Sequence, residues 1–157
     1  MNQQEMTTYL AASHIAVVAT MNRHSHPHLT PNWYRYDGKV LTLITRKDRL
    51  KYRNLQRDPH ISVCIYDPPV ASNYVVISGT ATCNDQDIWD EARRIIARYK
   101  AADEVDAYVA RLENGAACAH HGHAGAHRHT GAAVRVRAAR GGSGDAASGY
   151  KVKDMRA

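Results

Sequence analysis

Six cationic side chains, Arg46, Lys47, Arg49, Lys51, Arg53 and Arg57, fall within twelve consecutive residues, and only Asp48 opposes them. The run starts where an apolar segment, KVLTLIT (39–45), ends, and Asp58-Pro59 closes the helical stretch that carries it. Thr45 offers a hydroxyl at the end of the strand, and Asp48 is placed to cap the helix. The first amides of that helix and the positive end of its dipole face outward from the same place. Cations in a first turn are disfavoured unless an anion lies there, so Arg49 and Lys51 point to phosphate binding. A solvated basic face is the other reading of such a run, and the residues alone leave both open. The chain has no G-x-G-x-x-G and no Walker-type loop, so nothing supports the nucleotide folds built on them.

Other residues with chemical potential carry weaker signals. His24, His26 and His28 alternate through a turn and would share a face if extended, which raises a metal site, although a variable hairpin accounts for them equally. Trp33 either stacks on a bound ring or fills the interior. Trp89, at helical spacing, reads as core, and Tyr74 as a strand packing residue. Cys64, Cys83 and Cys118 are odd in number and form no C-x-x-C pair, which fits a reducing compartment. Paired carboxylates, a Ser/His/Asp ordering and a nucleophilic cysteine are all missing. No catalytic side chain and no metal ligand is assigned.

The elements that position these residues follow from periodicity. Met6, Tyr9 and Leu10 predict a short leading helix. Strands are predicted at 14–21, at 27–36 with Pro27 and Pro31 arguing for an edge, at 39–45 after an Asp37-Gly38 hairpin, at 60–66, and at 74–83 with Gly79 marking a bulge or bend. A helix capped by Asn84 or Asp85 follows, with Ile88, Trp89, Ala92, Ile95, Ile96 and Tyr99 on one face, then a second helix marked by Val105, Tyr108, Val109 and Leu112. Five short strands joined mostly by tight turns predict an antiparallel, closed or nearly closed β-barrel with flanking helices.

Composition divides the chain. Residues 1–113 carry 14 basic against 13 acidic side chains, while 114–157 carry 7 against 2. Residues 114–149 contain no Leu, Ile, Met, Trp or Tyr. Such a segment lacks the apolar surface to offset its ordering entropy. The expectation is a folded domain over 1–113 and an Ala/Gly/His/Arg-rich tail over 114–157. In that tail only 134–137 resembles a strand, and His120, His121, His123, His127 and His129 would bind metal adventitiously. The tail is either disordered or a frameshift product, since a shifted frame of its codons can spell a closing strand. The basic excess sits in the tail, so it does not make the body a nucleic-acid binder. Without a signal-like start or an uninterrupted apolar stretch of membrane-spanning length, the expected location is the cytoplasm and no membrane partner is expected.

Three segments carry a family resemblance: AVVAT (16–20), TPNWYRYDGKVLTLITRKDRLKYRNLQRDPHISVCIYD (30–67) and YVVISGTA (74–81). In this order they resemble the pyridoxamine 5'-phosphate oxidase-like FMN-binding split barrels, most closely the short branch that uses the deazaflavin coenzyme F420. The resemblance implies a Greek-key split β-barrel and a homodimer with two cofactors at the subunit interface. By motif match, Thr45, Arg49 and Lys51 would contact the cofactor phosphate, and Pro31, Asn32, Trp33 and Tyr34 would line the tricyclic ring. Where many relatives read S-R-K, this chain reads Arg49-Leu50-Lys51, which suits a deazaflavin version better than an FMN one. The implied activity is hydride transfer between F420 and a small conjugated or aromatic substrate. The alternatives are an FMN-dependent oxidase or reductase of the same fold and a non-enzymatic flavin- or haem-binding module.

Overall fold

The computed structural model of the chain describes residues 2–67, 73–86, 88–113, 131–138 and 150–154. Helix α1 (Gln3–Ala11) opens with a capping box in which Asn2 and Glu5 exchange side chain–backbone hydrogen bonds. Strands β1 (Ile15–Met21), β2 (Pro27–Asn32), β3 (Tyr34–Tyr36) and β4 (Leu41–Arg46) follow. Helix α2 (Leu50–Arg57) leads to β5 (His60–Tyr66) and β6 (Asn73–Asn84). Helices α3 (Ile88–Ile96) and α4 (Ala102–Glu113) precede β7 (Gly131–Ala138) and β8 (Tyr150–Asp154).

Every strand pair is antiparallel, and the sheet runs β2-β1-β5-β6-β7-β4-β3, with β8 added on β6. The two ends of this order, β2 and β3, are consecutive in the chain and separated by Trp33 alone. A sheet whose edges meet through one residue has curled almost shut. The fold is the expected mainly-β split barrel with flanking helices.

Period-2 alternation fills the interior. Val18, Leu43, Val63, Ile65, Val75 and Val134 are buried in one cluster that also takes Met6 and Leu10 of α1. A second cluster lies on the opposite face of β4, where Ala92, Ile96, Val105 and Val109 of α3 and α4 pack with Trp33 and Ile44. Trp89 joins this second cluster, in keeping with its helical spacing. The Asp37-Gly38 turn forms as predicted. Gly38 takes φ +95°, and the Asp37 carboxylate accepts from the amides of Lys39 (2.9 Å) and Val40 (2.8 Å).

Three expectations change. The strand predicted over 27–36 breaks at Trp33, because β2 and β3 belong to opposite edges of the sheet. The β5–β6 register runs through Gly79 without interruption, and Gly79 instead lies where pairing of β6 with β7 begins. The third change is the largest. Residues 131–138, inside the segment expected to be a tail, form a strand between β6 and β4, with Ala132 and Val134 fully buried.

Small residues make that strand possible. A Cβ on Gly131 would lie 2.6 Å from Ile88 Cδ1, so α3 packs down on backbone there. The bulk missing from β7 is supplied by its neighbours, and Val134 and Val136 provide the inward face. The histidine tract 120–129 and Cys118 lie outside the described residues, as do residues 123–130 of the 123–136 span on which the frameshift reading rests. Cys64 and Cys83 are free, half-buried thiols, and burial pushes both pKa values up.

The position of β7 has a measurable consequence. Val134→Asp places a carboxylate at a fully buried site and is expected to abolish cooperative unfolding, and Val134→Ala to cost about 2 kcal/mol. Arg135→Ala, one residue on but exposed, is expected to change urea-denaturation stability by less than about 0.5 kcal/mol.

Candidate functional site

Helix α2 lies against β1, β4 and β6 with Lys51, Asn54 and Leu55 buried beneath it. Its N-cap is Arg49, without a side-chain hydrogen bond, and its first turn holds no acidic residue. Asp48, expected to cap the helix, does not: its carboxylate is taken by Arg46 Nε at 3.0 Å. The first amides of α2 therefore keep the unpaired donors that helix geometry leaves at every N-terminus.

The six cations of the basic run separate by their partners. Arg46 pairs with Asp48, and Lys47 with Asp85 across the loop before α3. Arg53 Nη2 donates to the Asp48 carbonyl at 3.4 Å, and Arg57 Nη2 donates to the carbonyl of Met21. Arg49 and Lys51 have no carboxylate partner among the described residues. Lys51 is 5% exposed, and its ammonium donates to Thr30 Oγ1 at 3.1 Å and to Asn32 Oδ1, both neutral. Burial pulls its pKa down from 10.5 to about 8, with the Arg49 charge adding to the effect.

These two cations open onto a cavity of about 700 Å³. Its polar end is lined by His28, Thr30, Asn32, Thr45, Arg49 and Lys51. Its apolar part is lined by Trp33, Ile44, Ile96, Tyr108 and Leu112, all members of the α3–α4 cluster. An ion pair holds this wall on the sheet: Arg35 Nε donates to Glu91 Oε1 at 2.6 Å, with the Glu91 side chain nearly buried. The volume matches a small-molecule site, and the lining suits a flat apolar group joined to an anion.

Six of the seven residues expected at the site, Pro31, Asn32, Trp33, Thr45, Arg49 and Lys51, border this cavity. Tyr34 does not. After the break at Trp33 its side chain points into the barrel, fully buried, where its hydroxyl donates to the Ala12 carbonyl at 3.2 Å. Trp33 stacks on Tyr99 with ring centroids 5.0 Å apart and planes 5° from parallel, so one of its faces is occupied by protein. His28, weighed in the sequence only as a metal ligand, also borders the cavity, and Thr30, Tyr108 and the aliphatic residues of α3 were not singled out for it. The period-2 spacing of His28, Thr30 and Asn32 was the available signal for the first two, whereas nothing local marks the helix residues. His24 and His26 sit beside the β1–β2 turn with their backbone amides on Asn22 Oδ1, and no cluster of three metal-ligating side chains exists among the described residues.

The near-closed antiparallel barrel, with a cation-lined cavity beside its seam, defines a split-barrel fold. The sequence profile of pyridoxamine 5'-phosphate oxidase matches residues 3–137, and the chain belongs to that family. The matched span takes in most of β7. No curated protein matches the chain in sequence. Among solved structures it is similar to an F420 reductase, at 18% identity and TM-score 0.61, over 85% of this chain and 92% of that one. It is also similar to a conserved hypothetical protein from Mycobacterium tuberculosis, at 24% identity and TM-score 0.70, over 99% and 86%. A haem-binding protein from Mycobacterium smegmatis aligns at 18% identity and TM-score 0.59, over 97% of this chain but 57% of that one. At these identities the likeness concerns the fold. No helix among the described residues is long and apolar enough to cross a membrane.

The Lys51 environment fixes a pH dependence. Between pH 8 and 10.5 the unfolded chain holds a proton at this lysine that the folded chain has released, so raising the pH through that window favours the folded state. Below it, the buried charge destabilises the ligand-free protein. Lys51→Met is expected to raise the melting temperature at pH 7 and to remove this part of the rise in stability between pH 8 and 10.5, both read by thermal denaturation across pH.

Proposed function

We propose that the chain is a cytoplasmic homodimeric oxidoreductase that holds F420, with FMN as the alternative, and transfers a hydride between it and a small conjugated or aromatic substrate. The observation that carries this reading is the pair of cations, Arg49 and Lys51, left without carboxylates at the polar end of a cavity whose remainder is apolar. A buried ammonium held only by neutral oxygens is stabilised by an anion, and a phosphate at the N-terminus of α2 supplies one. Thr45 adds a hydroxyl to the same end.

When bound, such a ring supplies the hydride chemistry. The chain's own part is to grip the phosphate through Arg49, Lys51 and Thr45, to seat the ring against Pro31, Asn32 and Trp33, and to exclude water with the α3–α4 wall. Dimerisation finds support in the exposure of Leu29 (63%) and Leu50 (41%), large apolar side chains on the open edge strand and beside the helix N-terminus. The F420 reductase among the structural neighbours favours the deazaflavin over FMN, as does the R-x-K order of Arg49 and Lys51.

Mass spectrometry of the co-purifying molecule, then fluorescence titration with F420 and with FMN, tests the reading. Tight binding of F420 supports it, FMN alone redirects it to the alternative, and a monomer indifferent to both overturns it. Arg49→Ala and Lys51→Ala are each expected to weaken binding about tenfold or more, the worth of a charge-assisted hydrogen bond.

A further inference from the structure

One cavity side chain takes no part in the phosphate grip. His28 stands on the same face of β2 as Thr30 and Asn32, at the two-residue spacing that aims alternate side chains together. Thr30 and Asn32 hold Lys51. His28 Nδ1 is buried and has no hydrogen-bond partner among the described residues. Leaving such a nitrogen unpaired is costly, and a strand bordering a binding cavity is where that cost has a use.

A second unpaired atom lies close by. Thr20 is the register partner of His28 across β1 and β2, and cross-strand partners bring their Cβ atoms to about 4.5–5.5 Å. The Thr20 hydroxyl accepts a hydrogen bond from Asn54 Nδ2 at 3.1 Å. Asn54 is fully buried, and its Oδ1 has no partner. Asn54, Thr20 and His28 thus stand side by side under α2, carrying one unfilled acceptor and one unfilled ring nitrogen.

We infer that His28 is a further ligand-contacting residue, oriented by Asn54, that recognises a hydroxyl on the chain joining phosphate to ring; this rests on the cofactor reading above. A water bridging Nδ1–H to Asn54 Oδ1 would satisfy both atoms and make Nδ1 the protonated nitrogen. Nε2 is then a bare acceptor at the cavity surface, complementary to a hydroxyl donor. The pocket that results selects a ring and phosphate joined by a hydroxylated chain over the same two groups joined by a plain one.

The test compares wild type with His28→Ala, His28→Gln and His28→Asn, titrated with F420 and FMN by fluorescence and with inorganic phosphate by calorimetry. His28→Ala is expected to weaken cofactor binding about five- to tenfold while leaving phosphate affinity unchanged. Glutamine reaches the position of Nε2 and restores most of the affinity. Asparagine reproduces only Nδ1 and does not. The Gln–Asn pair decides the matter even if the alanine variant is poorly folded. Wild-type affinity in His28→Ala overturns the inference and leaves the phosphate site standing, as does restoration by asparagine rather than glutamine. Failure of the wild type to bind either ring overturns both.

Discussion

A positive charge buried beside neutral oxygens sets the terms for this structure. Lys51 sits on the inner side of α2 and reaches Thr30 and Asn32 on β2, so the ammonium joins the plugging helix to the open edge of the sheet. Hydrophobic packing alone would favour an aliphatic side chain there. Stability is given up locally for a group that meets no opposite charge among the described residues. The surrounding cations are arranged so that this remains true. Arg46 and Lys47 are neutralised by Asp48 and Asp85, which pin the approach to α2 without drawing an acid toward Lys51.

Much of the fold was legible because antiparallel strands announce themselves locally. Ile61, Val63 and Ile65 alternate with Ser62, Cys64 and Tyr66, and β5 spans the predicted residues. The Asp37-Gly38 turn needs only its own side chain and one glycine. What escaped was non-local. Nothing in the sequence around Trp33 shows that Asn32 and Tyr34 belong to opposite sheet edges, so a continuous strand was the natural reading. Tyr34 was assigned to the ring by motif match alone, and the break at Trp33 turns it into the barrel.

The segment 131–138 was read as part of a tail for another reason, although 134–137 resembled a strand. An entropy argument over residues 114–149 treats the segment as if it had to cover itself, whereas a strand entering between β6 and β4 inherits two neighbours and a helix roof. Glycine and alanine are then the residues that fit. At the site, the two cations without carboxylate partners were visible because charge and helix position coincide in one short run. The apolar wall was not, because Tyr108 and Leu112 reach the cavity only through the packing of α4 on α3.

The Arg35–Glu91 ion pair fastens α3 to β3, apart from the Arg49 and Lys51 cations at the start of α2. The charged lining of the cavity and the helical part of its apolar lining therefore come from separate stretches of polypeptide, one ending near residue 51 and the other beginning near residue 91. Substitutions along the α3–α4 hairpin can reshape the apolar part of the cavity without disturbing the cations at residues 49 and 51. A lineage built on this plan is free to vary the shape of its cavity while keeping the same charges.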